Sequence, residues 1–313
     1  GDRRIAVWRV PQDPFLPGLP ILSDTESTAR LLAQLGIHSD ITRMRRRSYR
    51  PSRRAVVEIT THTHRVFGKV VRPHTTARLQ RLHTAIARHA PIPRSLGWSE
   101  PSGIAMLEAL PGVPLRQSVE TPGAPLPGPE ELVSLLDTLS EGDVGDEVRE
   151  GLVGGLPRHV RLLCAVLPDH AVVIRDTADA IKLHSNDSPI VPVHGDFHSS
   201  QVIVTDGTAT GLIDVDTAGM GERIDDLANL LAHVTIIADA RPSVRPRAAS
   251  YGAELTSACD QLVDPRQLRL RVAAAILGYA TGPFRVQEAD WRDATLRRVD
   301  LADQWVESAI GAS

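Results

Sequence analysis

Two histidines and an acid lie within five residues of one another, at residues 194–198 (HGDFH). The apolar run at residues 202–204 follows them, so these polar side chains occupy a turn beside a strand-like segment. Asp214 ends another apolar run eighteen residues after Asp196, and Asp216 follows it. Polar groups at this density do not fit a core without partners, whereas turns that end strands commonly carry catalytic groups.

These residue types fit phosphoryl transfer to a hydroxyl group. The reaction needs a carboxylate to take the hydroxyl proton, oxygen ligands for Mg²⁺ on the ATP phosphates, and a cation on the same phosphates. Asp196 can be the base, Gln201 can offer an amide oxygen to the metal, and Asp214 can offer a carboxylate. Lys69, within an upstream strand pattern, can be the cation.

Lysine is rare in this chain. Only Lys69 and Lys182 stand among 35 basic residues, so arginine is the default cation. A lysine inside a strand pattern therefore indicates a position that needs a compact ammonium group.

The segments that carry these residues predict an α+β fold in two parts. The first part, roughly residues 38–110, is a small mixed sheet with one helix. A Pro-rich segment and a helix that opens on the capping pattern of residues 23–26 precede it. The predicted order is two strands within residues 41–60, joined near residues 51–52, then a strand at 65–71, a helix at 75–89 and a strand at 103–108.

The second part is predicted to be mainly helical. Residues 112–129 hold five prolines and predict a connection. Two β-like runs, residues 190–193 and 201–204, enclose the HGDFH turn, and a third follows at 211–215. The predicted helices cover about 130–140, 156–167, 169–184, 222–239, 247–260, 266–281 and 288–310.

Composition excludes several classes of protein. With 313 residues, 42% hydrophobic and 23% charged, the chain has the make-up of a globular protein rather than a disordered one. It has no apolar run of 18 residues, and residues 1–5 carry no apolar export signal. Two cysteines predict buried free thiols in a reducing compartment, so we expect a cytoplasmic protein. The lack of a long apolar run predicts that it has no membrane partner. The net charge of −3 argues against nucleic acid as a partner.

The motif His-Gly-Asp-x-His followed by Ile-Asp-x-Asp resembles the aminoglycoside phosphotransferase and choline kinase superfamily, which has the protein-kinase-like fold. The resemblance extends over most of the chain. Residues 49–54 and 67–70 resemble strands of the N-lobe, residues 107–112 resemble the interlobe hinge, and residues 221–228 resemble the family segment Gly-Asp-Pro-x-x-Asp-Leu-Ala.

The resemblance implies a two-lobed kinase that uses ATP and Mg²⁺. The N-lobe would be residues 1–110, with an extension at 1–37 and a nucleotide-binding sheet at 38–110. Residues 111–313 would form a helical C-lobe with the catalytic loop and the acceptor site. By this resemblance Asp196 would be the catalytic base, and Gln201 and Asp214 would be metal ligands. Lys69 would be the lysine that contacts the phosphates, and the adenine would lie near Glu108 and Leu110. Asp226 would be a structural acid.

Several assignments stay open at this point. His198 either supports the turn or touches substrate, and we place it with Asp196 among the catalytic candidates. Asp216 is a second metal ligand or a turn acid. His194 fits a packed loop residue better than a catalytic one. Arg50, within the arginine run at 43–54, either contacts the nucleotide or belongs to a solvated strand face.

The sequence also departs from the family pattern. It has arginines in place of a Gly-rich loop, no acid in the predicted helix at 75–89 to pair with Lys69, and Arg223 where the family often has proline. These gaps motivate an alternative, a pseudokinase or binding module of the same fold. A further alternative is a metal-dependent hydrolase with His194, Asp196, His198 and Asp214 as ligands.

The sequence does not name the small-molecule hydroxyl acceptor. Five acids in the last helices would suit a cationic substrate or a solvated helix face equally well: Glu288, Asp290, Asp293, Asp300 and Asp303.

Overall fold

A computed structural model describes residues 7–311. The chain divides into two compact units, Gly1–Pro111 and Gly112–Ser313. The first unit is built on an antiparallel sheet and the second is mainly helical, which confirms the predicted α+β class. Residues 1–5, in which the sequence shows no export signal, lie outside the described part of the chain.

The first unit is a five-stranded antiparallel sheet in the order β1-β2-β3-β5-β4. Buried and partly exposed residues alternate strictly along β2, as expected for a strand with one side buried and the other partly open, whereas residues 68–71 of β3 are all buried. The elements are α1 (Gly18–Ile21), α2 (Thr25–Gln34), β1 (Ile41–Arg50), β2 (Arg54–Thr61), β3 (Arg65–Val71), α3 (Pro73–Ile86), β4 (Ser95–Ser99) and β5 (Ile104–Glu108).

One face of this sheet carries the core of the first unit. Leucines from residues 16–32 pack there against Val57, Val66 and other apolar side chains of β2, β3 and β5. Gly68 permits the close approach, because a Cβ at this position would lie 2.3 Å from the Leu22 side chain. The strand register therefore places Lys69, the next residue, on the opposite face.

The turn between β1 and β2 is fixed by a buried aspartate from the segment before the sheet. The Asp13 carboxylate, 3% exposed, accepts hydrogen bonds from the Ser52 amide at 2.7 Å and the Tyr49 hydroxyl at 2.9 Å. Arg72 Nε donates to the Ser52 carbonyl at 2.7 Å. Ser52 has a φ of +58°, and these bonds on both sides of it hold this left-handed conformation.

The second unit places two small sheets among helices. The sheets are β6-β8-β9 and β10-β7, and α10 packs against α6, α8 and α12. Among the described residues, no helix is both long and apolar enough to cross a membrane. The elements are β6 (Val113–Pro114), α4 (Leu115–Glu120), α5 (Pro129–Asp137), α6 (Leu152–Val166), α7 (Ala171–His184), β7 (Ile190–Val193), β8 (Val202–Thr205), β9 (Thr208–Leu212), β10 (Gly219–Glu222), α8 (Arg223–Ala240), α9 (Arg245–Cys259), α10 (Pro265–Ala280), α11 (Gly282–Val286) and α12 (Trp291–Ile310).

The structure corrects several sequence-based boundaries. The predicted connection at 112–129 contains β6 and α4, and strands β4 and β10 were not predicted. These elements are short, so hydrophobic periodicity has too few residues to show itself. The helix predicted at 75–89 is α3, which begins two residues earlier because Pro73 suits the first helical turn. Both cysteines are free, but Cys164 is only partly buried, unlike Cys259.

Candidate active site

The HGDFH turn joins β7 to β8 and exposes a single acid between two buried side chains. His194 and Phe197 are both completely buried, whereas the Asp196 side chain is 39% exposed. Gly195 has a φ of +75°, and a Cβ there would lie 2.5 Å from the Thr217 carbonyl oxygen. The glycine thus lets the chain turn sharply, and the buried neighbours fix the direction of Asp196.

A buried acid on α8 holds this turn from behind. The Asp226 carboxylate accepts hydrogen bonds from the backbone amides of His194 at 2.6 Å and Gly195 at 2.9 Å. The Phe197 amide also donates to it. Burial raises the pKa of Asp226 to about 7, and the three amides oppose that rise by favouring the carboxylate. This geometry is that of an acid that supports the loop, as the resemblance implied.

His194 is a packing residue. Its Nε2 lies 3.0 Å from the Ile213 carbonyl oxygen, and its own carbonyl accepts from the Thr217 hydroxyl. Burial lowers the pKa of the imidazole, which therefore stays neutral. Its ring nitrogens are not presented to solvent, and residues 7–311 contain no group of three His, Cys, Asp or Glu residues that could hold a metal. The burial of both ring nitrogens counts against the hydrolase alternative, in which His194 is a metal ligand.

His198 faces the exposed acid as a neutral imidazole. The Ser200 amide donates to its Nδ1 at 3.2 Å, which leaves the ring proton on Nε2. This nitrogen lies 3.7 Å from Asp196 Oδ1, beyond hydrogen-bond distance, and 3.4 Å from the Gln201 amide nitrogen, which is itself a donor. Burial lowers the pKa of His198 to about 4. The side chain therefore lies beside Asp196 as an uncharged group near neutral pH.

Two residues that sequence reasoning missed support His198. Its ring stacks on His233 with centroids 4.6 Å apart, and Tyr279 meets the His233 ring edge-on at 5.7 Å. The Ser199 hydroxyl lies 2.7 Å from His233 Nδ1. The sequence contains one weak signal for His233, since it lies two helical turns after Asp226 and on the same face of α8. Tyr279 lies on α10 and has no such signal.

The three candidate metal ligands lie at one end of the β8–β9 hairpin. The Gln201 carbonyl accepts a hydrogen bond from the Ile213 amide at 2.9 Å, and Asp214 is the next residue. The sequence predicted a strand through residue 215, but β9 ends at Leu212 and Asp214 is left-handed, with φ 59° and ψ 41°. Asp216 follows in a 3₁₀ turn. A left-handed aspartate at a strand end is a typical functional-site feature.

The first unit supplies the candidates for nucleotide contact. Lys69 is 8% exposed and pairs across the sheet with Val56 and Ala105. The Glu108 carboxylate accepts from Arg94 Nε at 2.8 Å, and its amide donates to the Arg94 carbonyl. The amide of Leu110 makes no hydrogen bond within the described residues 7–311. Leu110 therefore offers a free donor at the end of β5, whereas the Glu108 side chain is engaged.

Two further residues of this unit bear on the departures from the family pattern. Arg50 ends β1, exposed and opposite Arg54 at the turn that replaces a Gly-rich loop. Glu58 shares the sheet face of Lys69, but its carboxylate accepts from Arg65 Nε at 2.6 Å and lies 3.6 Å from Arg47. As the sequence indicated, α3 contains no acid.

A cavity of about 400 Å³ opens beside the His198 cluster in the second unit. His233 and Tyr279, which contact His198, are among its lining residues. Its volume lies in the range of small-molecule sites.

The lowered pKa of His198 predicts an acid-sensitive contribution to stability. The neutral form is favoured in the fold, so this contribution is complete above the ordinary pKa of 6.5 and is lost as the pH falls towards 4. The lowering of the His198 pKa from 6.5 to about 4 corresponds to about 3 kcal/mol of the free energy of unfolding. Urea unfolding of the wild type and His198→Asn at pH 7, 5.5 and 4 should show the difference between them shrinking as the pH falls. Asp225 and Asp226 have raised pKa values, which change stability with pH in the opposite sense, but both acids are present in both proteins and cancel in the difference. A difference that stays constant with pH would therefore contradict the lowered pKa of His198.

The family of the chain follows from its sequence as well as its fold. The model of the phosphotransferase enzyme family matches residues 52–262. The chain belongs to this family. No curated protein matches the sequence.

Solved structures with a similar fold include phosphotransferases of several kinds. Aminoglycoside phosphotransferase APH(4)-Ia, in a ternary complex with ADP and hygromycin B, is 15% identical with a TM-score of 0.61, covering 88% of this chain and 97% of that one. A choline/ethanolamine kinase family protein from Mesorhizobium loti is 16% identical with a TM-score of 0.60, covering 91% and 95%. Macrolide 2'-phosphotransferase MphH from Brachybacterium faecium is 20% identical with a TM-score of 0.51, covering 88% and 98%.

The family model confirms the predicted family and the phosphotransferase class of the enzyme, and the solved structures confirm the kinase-like fold.

Proposed function

We propose that the protein transfers the γ-phosphate of ATP, in the presence of Mg²⁺, to a hydroxyl group of a small molecule. The observation that carries the proposal is the position of Asp196, which is partly exposed on a turn whose backbone amides are held by buried Asp226. A base must be fixed and accessible to its substrate, and this turn meets both needs.

The donor set at the end of the β8–β9 hairpin suits Mg²⁺. Asp214, Asp216 and Gln201 offer carboxylate and amide oxygens, which hard cations prefer over nitrogen ligands. We assign Asp214 as the principal ligand, with Gln201 and Asp216 as its companions. When bound, Mg²⁺ would neutralise charge on the transferred phosphate.

The reaction places one proton on the protein. The acceptor hydroxyl would give its proton to Asp196 as its oxygen bonds to the γ-phosphorus, and ADP would leave with the electron pair of the broken bond. His198 is a positioning residue in this scheme, because its ring lies beside the Asp196 carboxylate, with Nε2 3.7 Å from Oδ1. Its neutral state leaves the base free of a competing cation.

The sheet at residues 38–110 would bind the nucleotide, and residues 111–313 would supply the catalytic loop and the acceptor site. Lys69 would contact the phosphates as a compact charge, and the Leu110 amide and Glu108 carbonyl would face the adenine. Arg50 would contact phosphate from the β1–β2 turn, where it is exposed and the turn is fixed by Asp13.

The test is formation of ADP and of a phosphorylated product. The purified protein would be incubated with ATP, Mg²⁺ and a panel of sugars, amino alcohols, macrolides and hydroxy acids, with products detected by mass spectrometry. We expect at least one acceptor to gain the mass of a phosphoryl group. Tight ATP binding without turnover on any acceptor would instead identify a binding module of this fold.

Lys69 provides a separate prediction. Lys69→Met removes the charge that faces the phosphates, so we expect weaker binding of ATP, by roughly tenfold for one charge-assisted contact. Lys69→Arg should also impair transfer, because a planar guanidinium does not replace a point charge. Calorimetric titration with ATP and Mg²⁺ measures the effect.

Lys182→Met is the matched control, since Lys182 is the other lysine of the chain and lies exposed on α7 beside Asp179. Equal ATP affinity in Lys69→Met and Lys182→Met would exclude the phosphate role of Lys69.

A further inference from the structure

The cavity beside the His198 cluster is enclosed by helices that are far apart in sequence. Arg116 and Glu120 come from α4, His233 from α8, Tyr279 from α10 and Arg298 from α12. The cavity therefore extends from the support of the catalytic loop to the C-terminal helix. Its lining is strongly charged, with four arginines and four acids.

Three of the four acids in this lining make ion pairs with arginines of the same lining. Glu120 lies 3.1 Å from Arg116 Nε and 3.6 Å from Arg241 Nε. Asp239 and Asp290 share one arginine, Arg297, at 3.5 and 3.7 Å. The fourth, Glu288, is fully exposed at the edge. Their attraction for a cationic substrate is accordingly reduced.

Arg298 differs from the other three arginines of the lining, each of which makes an ion pair. No carboxylate of the described residues lies within 4 Å of its guanidinium; burial lowers the pKa of Arg298, while Glu288 and Asp239 raise it from a greater distance. Its Nη1 donates to the Tyr279 carbonyl at 2.7 Å, near the end of α10. Arg298 lines the cavity and is partly exposed, and no hydrogen bond from its other two nitrogens exists within residues 7–311.

The environment of Arg298 favours a negatively charged partner. Burial lowers the pKa of Arg298, which shows that the charge is partly desolvated without a carboxylate in contact. The pKa of His233 is lowered by burial first, then by His198 and by the charges of Arg116 and Arg298. Arg116 and Arg298 thus act on His233. In the same cavity wall, by contrast, burial and then Asp196 and Asp226 raise the pKa of Tyr279.

We infer that this cavity binds the acceptor and that the acceptor carries an anionic oxygen group, a carboxylate or a phosphate ester, bound by Arg298. A guanidinium binds such groups through two parallel hydrogen bonds, and the orienting bond to Tyr279 leaves donors for this purpose. The inference rests on the proposed function, since it names the substrate class of the same site. It argues against a cationic acceptor, which was one of the two explanations for the acids of the last helices.

The experiment compares sugars that differ in charge on one skeleton. Glucuronate, glucose 6-phosphate, glucose and glucosamine would be tested as ligands by saturation-transfer NMR, with and without ATP and Mg²⁺. ADP release would be measured in parallel. We expect glucuronate, glucose 6-phosphate or both to bind at least tenfold more tightly than glucose and glucosamine, and the two anions separate carboxylate from phosphate recognition.

Two variants of Arg298 identify the residue responsible. Arg298→Gln should remove the preference for the anions, and Arg298→Glu should reverse it in favour of glucosamine. A reversal is a gain of binding, which local unfolding cannot produce. The control is Arg292→Gln, which removes the same charge from an exposed position on α12, where the guanidinium stacks on Trp291. It should keep the preference.

Preference for glucosamine in the wild type, no binding of either anion, or an unchanged preference in Arg298→Glu would overturn the inference. Failure of the proposed function is a different result. If the protein binds an anion through Arg298 but transfers no phosphate to any acceptor, the assignment of the cavity stands and the proposed kinase activity is wrong.

Discussion

Asp196→Asn is expected to lower kcat by about 10²–10⁴-fold while leaving the affinity for ATP and Mg²⁺ close to that of the wild type. Asparagine has the same shape as aspartate and keeps a hydrogen-bonding oxygen, but it cannot take a proton at neutral pH. The turn should keep its conformation, because Asp226 binds its backbone amides. The loss would therefore lie in the chemical step.

The measurement is kcat with a phosphorylated acceptor, together with calorimetric titration of ATP and Mg²⁺. Asp206→Asn is the matched control, since Asp206 is exposed on the β8–β9 turn and its φ of +51° is one that asparagine tolerates. Turnover near the wild-type value in Asp196→Asn would show that another group takes the proton.

Replacement of Asp214 is expected to remove the Mg²⁺-dependent part of ATP binding. Asp214→Ala deletes the ligand, but alanine is strained at a φ of 59° by roughly 1–2 kcal/mol. Asp214→Asn is the cleaner variant, because asparagine tolerates this conformation and loses only the charge. We expect both variants to bind ATP with the same affinity whether or not Mg²⁺ is present.

Gln201 refines the assignment of the metal site. Gln201→Asn keeps the amide oxygen on a side chain that is one methylene shorter and should retain Mg²⁺-dependent binding. Gln201→Leu keeps the size but removes the oxygen and should weaken it. Titrations of ATP at several Mg²⁺ concentrations compare the variants. If ATP binding proves indifferent both to Mg²⁺ and to Asp214, the metal assignment is wrong.

The turn that carries Asp196 was predictable because its parts are close in sequence. Residues 194–201 form one turn, and the short β8–β9 hairpin returns the chain to Asp214, so local spacing is enough to group these side chains. The face of β3 that carries Lys69 was harder to predict, because residues 68–71 are all buried and show no alternation.

Other parts of the site depend on packing between distant helices. His233 and Tyr279 meet His198 only because α8 and α10 pack together; the spacing from Asp226 gives a weak signal for His233, and the sequence gives none for Tyr279. The acids of the last helices illustrate the same limit. Their number indicates negative charge, but only the structure shows that Asp290 shares Arg297 with Asp239 of α8 and that no carboxylate of the described residues lies within 4 Å of Arg298.

The bonds from Asp13 to the β1–β2 turn give the segment before the sheet a thermodynamic role. A flexible loop loses conformational entropy each time it closes on a ligand, at a cost of about 1–2 kcal/mol for each residue that becomes fixed. Here the Ser52 amide and the Tyr49 hydroxyl are bound before any ligand arrives, so that ordering occurs once, during folding. Variation in residues far from the chemistry could therefore change ligand affinity through disorder alone, without altering any atom that touches the ligand.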